Sequence, residues 1–325
     1  MPERGAGANP GAGWPADRPL RLATRGSPLA RRQTDMVVHR LAQAHPGLRT
    51  EAVVIRTEGD RRPEVPLERI GGQGVFVKEI QQAVLDGAAD VAVHSAKDLP
   101  PATPDGLVLA AVPERGDPRD ALVGATLSGL APGARVATGA ARRRVQLANL
   151  RPDLTFVPAR GNIATRVAKA GNGADAVVVA AVALDRLSIA GQAAEVLSPL
   201  VILPQVGQGA IALECRADDD AVAALLAAAD DRDAHRAVLA ERAMLRALGA
   251  SCALPVAGWA EPDGDDLVLR GLLASGDGRV VLHAERRGED PEALGAEVAR
   301  ALWSELGGSE LGGHQLAAAA PGAGR

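Results

Sequence analysis

The sequence is poor in aromatic rings. Of 325 residues 2% are aromatic: three tryptophans, two phenylalanines and no tyrosine. Its cores must therefore be built from Ala, Val, Leu and Ile, and a hydrophobic share of 47% is ample for that. Without stacking platforms, and with a formal net charge of −4, the chain is no general nucleic-acid binder, which would be basic. Two cysteines, Cys215 and Cys252, are too few for a disulfide framework and point to a reducing compartment. No apolar run reaches the roughly 18 residues that would make a transmembrane helix a candidate. Residues 1–17 are rich in Gly, Ala and Pro with no apolar signal core, so they read as a disordered tail rather than an export signal. Residues 307–325 read as a second flexible tail. The histidines show no metal-ligand spacing, and no metal is expected.

What is present is an alternation of strands and helices over a length that suits two or three domains. A strand at 21–24 runs into Arg25-Gly26-Ser27-Pro28 and a helix to about Gln43. Ser27 is placed to cap that helix, and Pro28 suits its first position. A second strand covers 51–55. Residues 56–74 are charged, hold Pro63 and Pro66 and end in Gly71-Gly72-Gln73-Gly74, the composition of a lid or binding loop. A helix at 76–86 and a strand at 89–94 follow, and Ser95-Ala96-Lys97-Asp98-Leu99-Pro100-Pro101 ends the strand abruptly. After a Pro- and Asp-rich crossing at 113–120 the pattern restarts: strand 135–138, an Arg-rich helix to Asn149, strand 154–157, a helix after Arg160-Gly161-Asn162, and an apolar run at 176–183 expected as a strand covered on both faces. The alternation implies mainly parallel sheets. Residues 203–209 are expected to carry the chain back. A helix at 231–248, a meander at 255–260, 267–274 and 280–284, and a last helix at 291–306 form a small α+β unit. The expected division is 18–113 with 207–229, 114–206, and 230–306.

Arginines recur where strands end and helices begin: Arg25, Arg142, Arg143, Arg160 and Arg166. Strand ends and helix N-termini collect anions, and the guanidinium fork grips carboxylates. Taken singly, each reads more simply as a solvated surface charge. Lys97-Asp98 at a strand end reads equally as a turn ion pair or as an acid–base group that could stabilise a developing cation. Cys252, in the loop 249–255, could be a nucleophile, although an inert thiol is the simpler reading of the residues alone. Cys215 in an apolar run reads as a core thiol, and His94 as a structural histidine.

In order along the chain, RLATRGSPLA (21–30), GGQGVFVKE (71–79), DVAVHSAKDLP (90–100), DPRD (117–120), RGN (160–162), LPQVGQG (203–209) and ERAM (241–244) resemble the porphobilinogen deaminase (hydroxymethylbilane synthase) family, from about Arg21 to Trp259. The resemblance implies an α/β fold of two periplasmic-binding-protein-like α/β domains plus a small α+β C-terminal domain. It implies a cytoplasmic, monomeric transferase of heme biosynthesis that joins four porphobilinogen molecules, with loss of ammonia, into hydroxymethylbilane. Its cofactor would be a covalent dipyrromethane on Cys252, which reverses the reading of that thiol. Asp98 matches the catalytic aspartate, with an azafulvene-like cation as the species it would stabilise. Lys97, Thr138, Arg142, Arg143 and Arg166 match cofactor-binding positions, Arg25, Ser27, Arg160 and Arg186 substrate-binding ones, and 56–74 the active-site lid. The implied partner is the small-molecule substrate, without nucleic acid or membrane.

Several positions depart from the family pattern. Gly139 and Ala140 stand where serines follow the threonine, Ala183 and Ala257 where glycine is frequent, Ser251 before the cysteine where glycine is common, and Gln73 where some relatives have lysine. None removes a charged catalytic group. Two other classes fit parts of the pattern: a non-catalytic anion-binding module, which needs no tethering cysteine, and a low-activity paralogue, suggested by Gly139-Ala140.

Overall fold

The computed structural model describes residues 14–15, 17–57, 59, 74, 76–249 and 255–311. Cys252 and nearly all of the expected lid lie outside them. The chain begins with β1 (Leu20–Arg25), β2 (Thr50–Ile55), β3 (Val91–Ser95) and β4 (Leu107–Ala111), then crosses to β5 (Asp120–Val123), β6 (Arg135–Ala137), β7 (Thr155–Val157), β8 (Ala176–Ala180) and β9 (Ala193–Val196). These last five form one sheet in the order β7-β6-β8-β5-β9. A second crossing returns the chain to β10 (Ile211–Arg216), which completes the first sheet as β2-β1-β3-β10-β4. Strands β11 (Val256–Asp263), β12 (Asp266–Ala274) and β13 (Val281–Gly288) make the expected antiparallel meander.

The α-helices are α1 (Pro28–Ala44), α2 (Lys78–Leu85), α3 (Ala141–Leu150), α4 (Ile163–Val167), α5 (Ala181–Arg186), α6 (Asp220–Ala227), α7 (Arg232–Ala247), α8 (Pro291–Arg300) and α9 (Gly308–Leu311). The last lies within the stretch expected as a flexible tail, because Gly308 is buried and Leu311 packs on the third unit's core. Ser27 caps α1 as its sequence position predicts: its backbone is extended and its Oγ accepts from the Ala30 amide at 3.3 Å. The all-apolar β8 is buried along its whole length. The apolar run that continues it does not: residues 181–183 turn into α5, because a continuous apolar segment can be buried equally well as strand or helix.

The expectation of mainly parallel sheets is corrected. β1 pairs in parallel with β2 and β3, and β6 with β7 and β8, but β10 and β5 run antiparallel to both of their neighbours. The crossings explain this. Each one delivers the chain to the other sheet at the end where β3 or β8 terminates, so the next strand must run back from that end. Ile211, first in β10, pairs with Ser95, last in β3, and Asp120, first in β5, pairs with Ala180, last in β8. Both strand ends, both crossings and the helix starts beyond them therefore meet in one cleft.

The crossings touch each other, with the Gly116 amide donating to the Gly209 carbonyl at 3.2 Å. One buried carboxylate fastens them to the third unit. Glu241 of α7 accepts from Arg115 of the first crossing, from the Gly207 amide of the second (2.6 Å) and from the Ala260 amide of β11 (2.8 Å). The third unit also packs on α3, through Val145, Leu203, Ala257, Leu272 and Ala274. Ala257, in place of the family's frequent glycine, buries its methyl there.

Candidate active site

Strand β3 ends in a short 3₁₀ turn, Ala96–Asp98, that carries Lys97 and Asp98 into the cleft. The Ala96 amide donates to the Ala210 carbonyl at 3.0 Å, and the Gln205 side chain donates to the Lys97 carbonyl at 3.2 Å. Gly207 lies against the turn with φ +71°, and a Cβ there would stand 2.7 Å from the Ala96 carbonyl carbon. Only glycine lets the second crossing approach the turn so closely. Asp98 is half-buried and makes no hydrogen bond or ion pair with any described residue, so its carboxylate is uncommitted.

Across the cleft, Asp120 is fully buried. Arg143 meets it through Nε (3.1 Å) and Nη2 (2.8 Å), Arg142 through Nη1 (2.8 Å), and the Gln208 amide through Nε2 (2.9 Å). Burial alone would raise the Asp120 pKa, but the two guanidinium charges and their hydrogen bonds outweigh it and hold the carboxyl far below the usual range. Asp120 was absent from the sequence-level candidates. The signal was the neighbouring arginine pair itself, which needs a shared counter-charge once α3 buries it.

Lys97 reports what surrounds it. Burial, and after it the Arg143 charge, lower its pKa to about 8; Asp98 and Asp120 oppose the shift, and Arg166 adds to it. The Arg166 pKa is lowered by burial and by Arg143, while Asp98 holds it up. Lys97, Arg142, Arg143 and Arg166 therefore form one cluster with Asp98 and Asp120, four cations against two carboxylates. Buried cations in excess are costly without an anion. Arg142 Nε and Nη2 and Arg186 Nε are buried and lack a hydrogen-bond partner.

The other sequence candidates sit around this cluster in varied states. Arg186 is buried and donates to the Gly209 carbonyl at 2.7 Å; its pKa is lowered to about 10, chiefly by burial. Arg166 Nε donates to the Gly161 carbonyl at 2.8 Å. Arg25 stacks over the Phe76 ring, 3.8 Å from its centroid. Thr138 Oγ1 accepts from the Ala140 amide at 3.2 Å, and Ser27 is occupied as a cap. Arg160 is exposed and pairs with no described residue. Arg142 and Arg143 are more committed than a simple reading as carboxylate-binding forks suggests: Arg142 also donates to the Leu203 carbonyl (2.7 Å) and Arg143 to that of Val178 (3.1 Å).

Two further departures from the family pattern have a structural account. At Gly139 a Cβ would stand 2.7 Å from the Ala159 carbonyl oxygen, so the backbone occupies the space of a side chain. Ala183 is buried with Ala180 and Val182, against Leu29 of the first unit and Ile163. Cys215 is an inert core thiol, its pKa pushed up to about 11 by burial.

The pKa of Lys97 makes a prediction. Below about pH 8 it is charged; above, the cluster loses one positive charge. The KM for an anionic substrate should rise by several-fold as pH passes 8, and Lys97→Arg, charged throughout this range, should flatten the rise. Parallel KM profiles in the two proteins would contradict this.

Comparison with known proteins gives one consistent result. A family model described as "Porphobilinogen deaminase, dipyromethane cofactor binding domain" matches residues 20–224, and one described as "Porphobilinogen deaminase, C-terminal domain" matches 235–304. A protein named porphobilinogen deaminase from Roseiflexus sp. (strain RS-1) is 48% identical over 299 residues, covering 90% of this chain and 99% of the relative. One of the same name from Syntrophus aciditrophicus is 46% identical over 289 residues, covering 87% and 94%. Among solved structures, a nutrient binding protein from Burkholderia cenocepacia bound to methionine overlaps with a TM-score of 0.41 at 13% identity, covering 70% of this chain and 94% of that one.

Proposed function

The chain belongs to the porphobilinogen deaminase family, and from that premise we propose how its cleft performs the family's reaction. The enzyme is a transferase of porphyrin biosynthesis that condenses four porphobilinogen molecules on a dipyrromethane primer, releasing ammonia and hydroxymethylbilane. When bound, the dipyrromethane supplies a tethered pyrrole carbon to which the first substrate is joined.

The residues of the cleft fit a group of this kind. Porphobilinogen carries an acetate and a propionate, so each added ring brings two more negative charges to a cluster that already holds surplus cations. In our reading Cys252 carries the thioether, Lys97, Thr138, Arg142, Arg143 and Arg166 hold the primer, and Arg25, Ser27, Arg160 and Arg186 hold incoming substrate. The unpartnered N–H groups of Arg142 and Arg186 support these assignments. The role of Asp98 follows from its state: an uncommitted carboxylate among cations stabilises positive charge as it develops on a pyrrole nitrogen while ammonia leaves, and can take up the proton displaced when the new bond forms. Fixed charges in a partly buried site do this without reorganising. The domain division 18–113 with 207–229, 114–206 and 230–306 is supported by the three sheets. We further infer a cytoplasmic monomer that binds neither nucleic acid nor membrane. Cores that close within one chain, the charge of −4, and the lack of any described helix long and apolar enough to cross a membrane support this.

The observation that carries the reading is the uncommitted Asp98 within a four-cation cluster. Purified protein given porphobilinogen should release one ammonia per molecule consumed and a linear tetrapyrrole. Tight binding of porphobilinogen with no ammonia would favour an anion-binding module instead.

A further inference from the structure

A second buried charge cluster lies behind the Asp98 turn, on the face of the first sheet that packs against α2 and α7. Pairing β3 with β10 puts His94 opposite Ala212 and Ala92 opposite Glu214, so His94 and Glu214 are diagonal neighbours on that face. Glu214 is fully buried, and His94, Gln81 and Arg242 nearly so. His94 Nε2 lies 3.2 Å from Glu214 Oε2 in an ion-pair contact, and that oxygen accepts a hydrogen bond from Gln81 Nε2 at 2.8 Å. Burial would raise the Glu214 pKa; His94, Gln81 and the Arg242 charge together lower it. Glu214 Oε1 and Arg242 Nη1 are both buried without a hydrogen-bond partner.

Arg242 reaches further. Its Nη2 donates to Thr103 Oγ1 at 3.0 Å, and one helical turn on, Arg246 Nη1 approaches the Pro101 carbonyl at 3.5 Å. Thr103 and Pro101 belong to the segment that leaves the Asp98 turn, whereas His94 belongs to the strand that leads into it. Arg242 thus ties the segment that leaves the turn to α7, while Glu214 meets the strand that leads into the turn through His94 and meets α2 through Gln81. None of these groups belongs to the cleft cluster, and a fold needs only apolar packing at such a place; replacing buried ion pairs by hydrophobic groups is often neutral for stability.

We propose that Arg242, acting through Thr103, is a positioning residue for Asp98: it fixes the segment leaving the turn against α7, the helix whose continuation in sequence carries Cys252. The proposal rests on the assignment of Asp98 to the reaction. Thr103→Val and Arg242→Lys keep volume and charge but break the Arg242–Thr103 link. Each should keep its primer by intact mass and hold KM within about twofold, while kcat falls about tenfold and amide exchange over residues 95–103 quickens. The double variant should be no worse than Arg242→Lys alone, since both changes cut one path. A purely structural role would lower Tm and leave kcat at permissive temperature unchanged. Should Arg242→Lys fail to fold, Thr103→Val decides. Unchanged kcat and exchange in Thr103→Val, in an otherwise active enzyme, overturn the proposal. Full activity in Asp98→Asn would instead defeat the reading on which it rests.

Discussion

Asp98→Asn should lower turnover by about a thousandfold while shifting Tm by no more than a few degrees. The two halves of that result have separate causes. The substitution keeps the shape of the side chain, and no described residue hydrogen-bonds or pairs with Asp98, so little native structure depends on it. Chemistry should depend on it heavily. The carboxylate is the negative group that shares the mouth of the cluster with Lys97 and Arg166, and removing a preorganised charge from a reaction centre costs roughly 3–4 kcal/mol of barrier. Substrate affinity should not suffer, because an amide leaves the cation surplus larger. Ammonia release under saturating porphobilinogen measures the effect. Activity within tenfold of the parent would remove Asp98 from the mechanism.

Asp120→Asn should have the opposite profile, a loss of stability before any loss of chemistry. One carboxylate, fully buried, compensates two buried guanidinium groups and also takes the Gln208 amide of the second crossing. An asparagine can still accept a hydrogen bond but leaves two cations without a counter-charge, a situation worth about 3–5 kcal/mol. The pH dependence follows by linkage. The folded carboxyl is held far below its unfolded value, so its contribution is present in full above the unfolded pKa of about 4 and fades as pH falls below it. Thermal unfolding between pH 7 and 3 should therefore show the parent losing its advantage over the variant as the solution is acidified. A variant within about 1 kcal/mol of the parent at pH 7 would mean that Asp120 is not the counter-charge.

Much of this architecture is legible in the residues. Ser27-Pro28 marks the start of α1 because cap chemistry is local, and the apolar run at 176–180 marks a covered strand. Lys97-Asp98 is placed at a strand end by the prolines that follow. What escaped depends on contacts between distant segments. Strands β4, β5 and β9 and helix α6 are short or sit in mixed surroundings, and β5 hides behind the Pro- and Asp-rich crossing before it. The antiparallel sense of β5 and β10 is set by where the crossings land, which no local pattern encodes. Asp120 and Glu241 appear in the sequence as ordinary acids within the DPRD and ERAM runs. Only their complete burial, against Arg142 and Arg143 in one case and against Arg115 and two backbone amides in the other, reveals them as the groups that hold the cleft and its crossings together.

The central claim is that an anionic pyrrole chain grows from sulfur at Cys252 under the control of Asp98 and the cations around it. Intact-mass measurement tests it most directly, on protein made in a host that produces porphobilinogen. The parent should be heavier than its sequence by one dipyrromethane, Asp98→Asn should carry the same addition, and Cys252→Ser should carry none. A Cys252→Ser protein that retains the added mass, or a parent that turns over porphobilinogen at full rate with no added mass, would contradict the account.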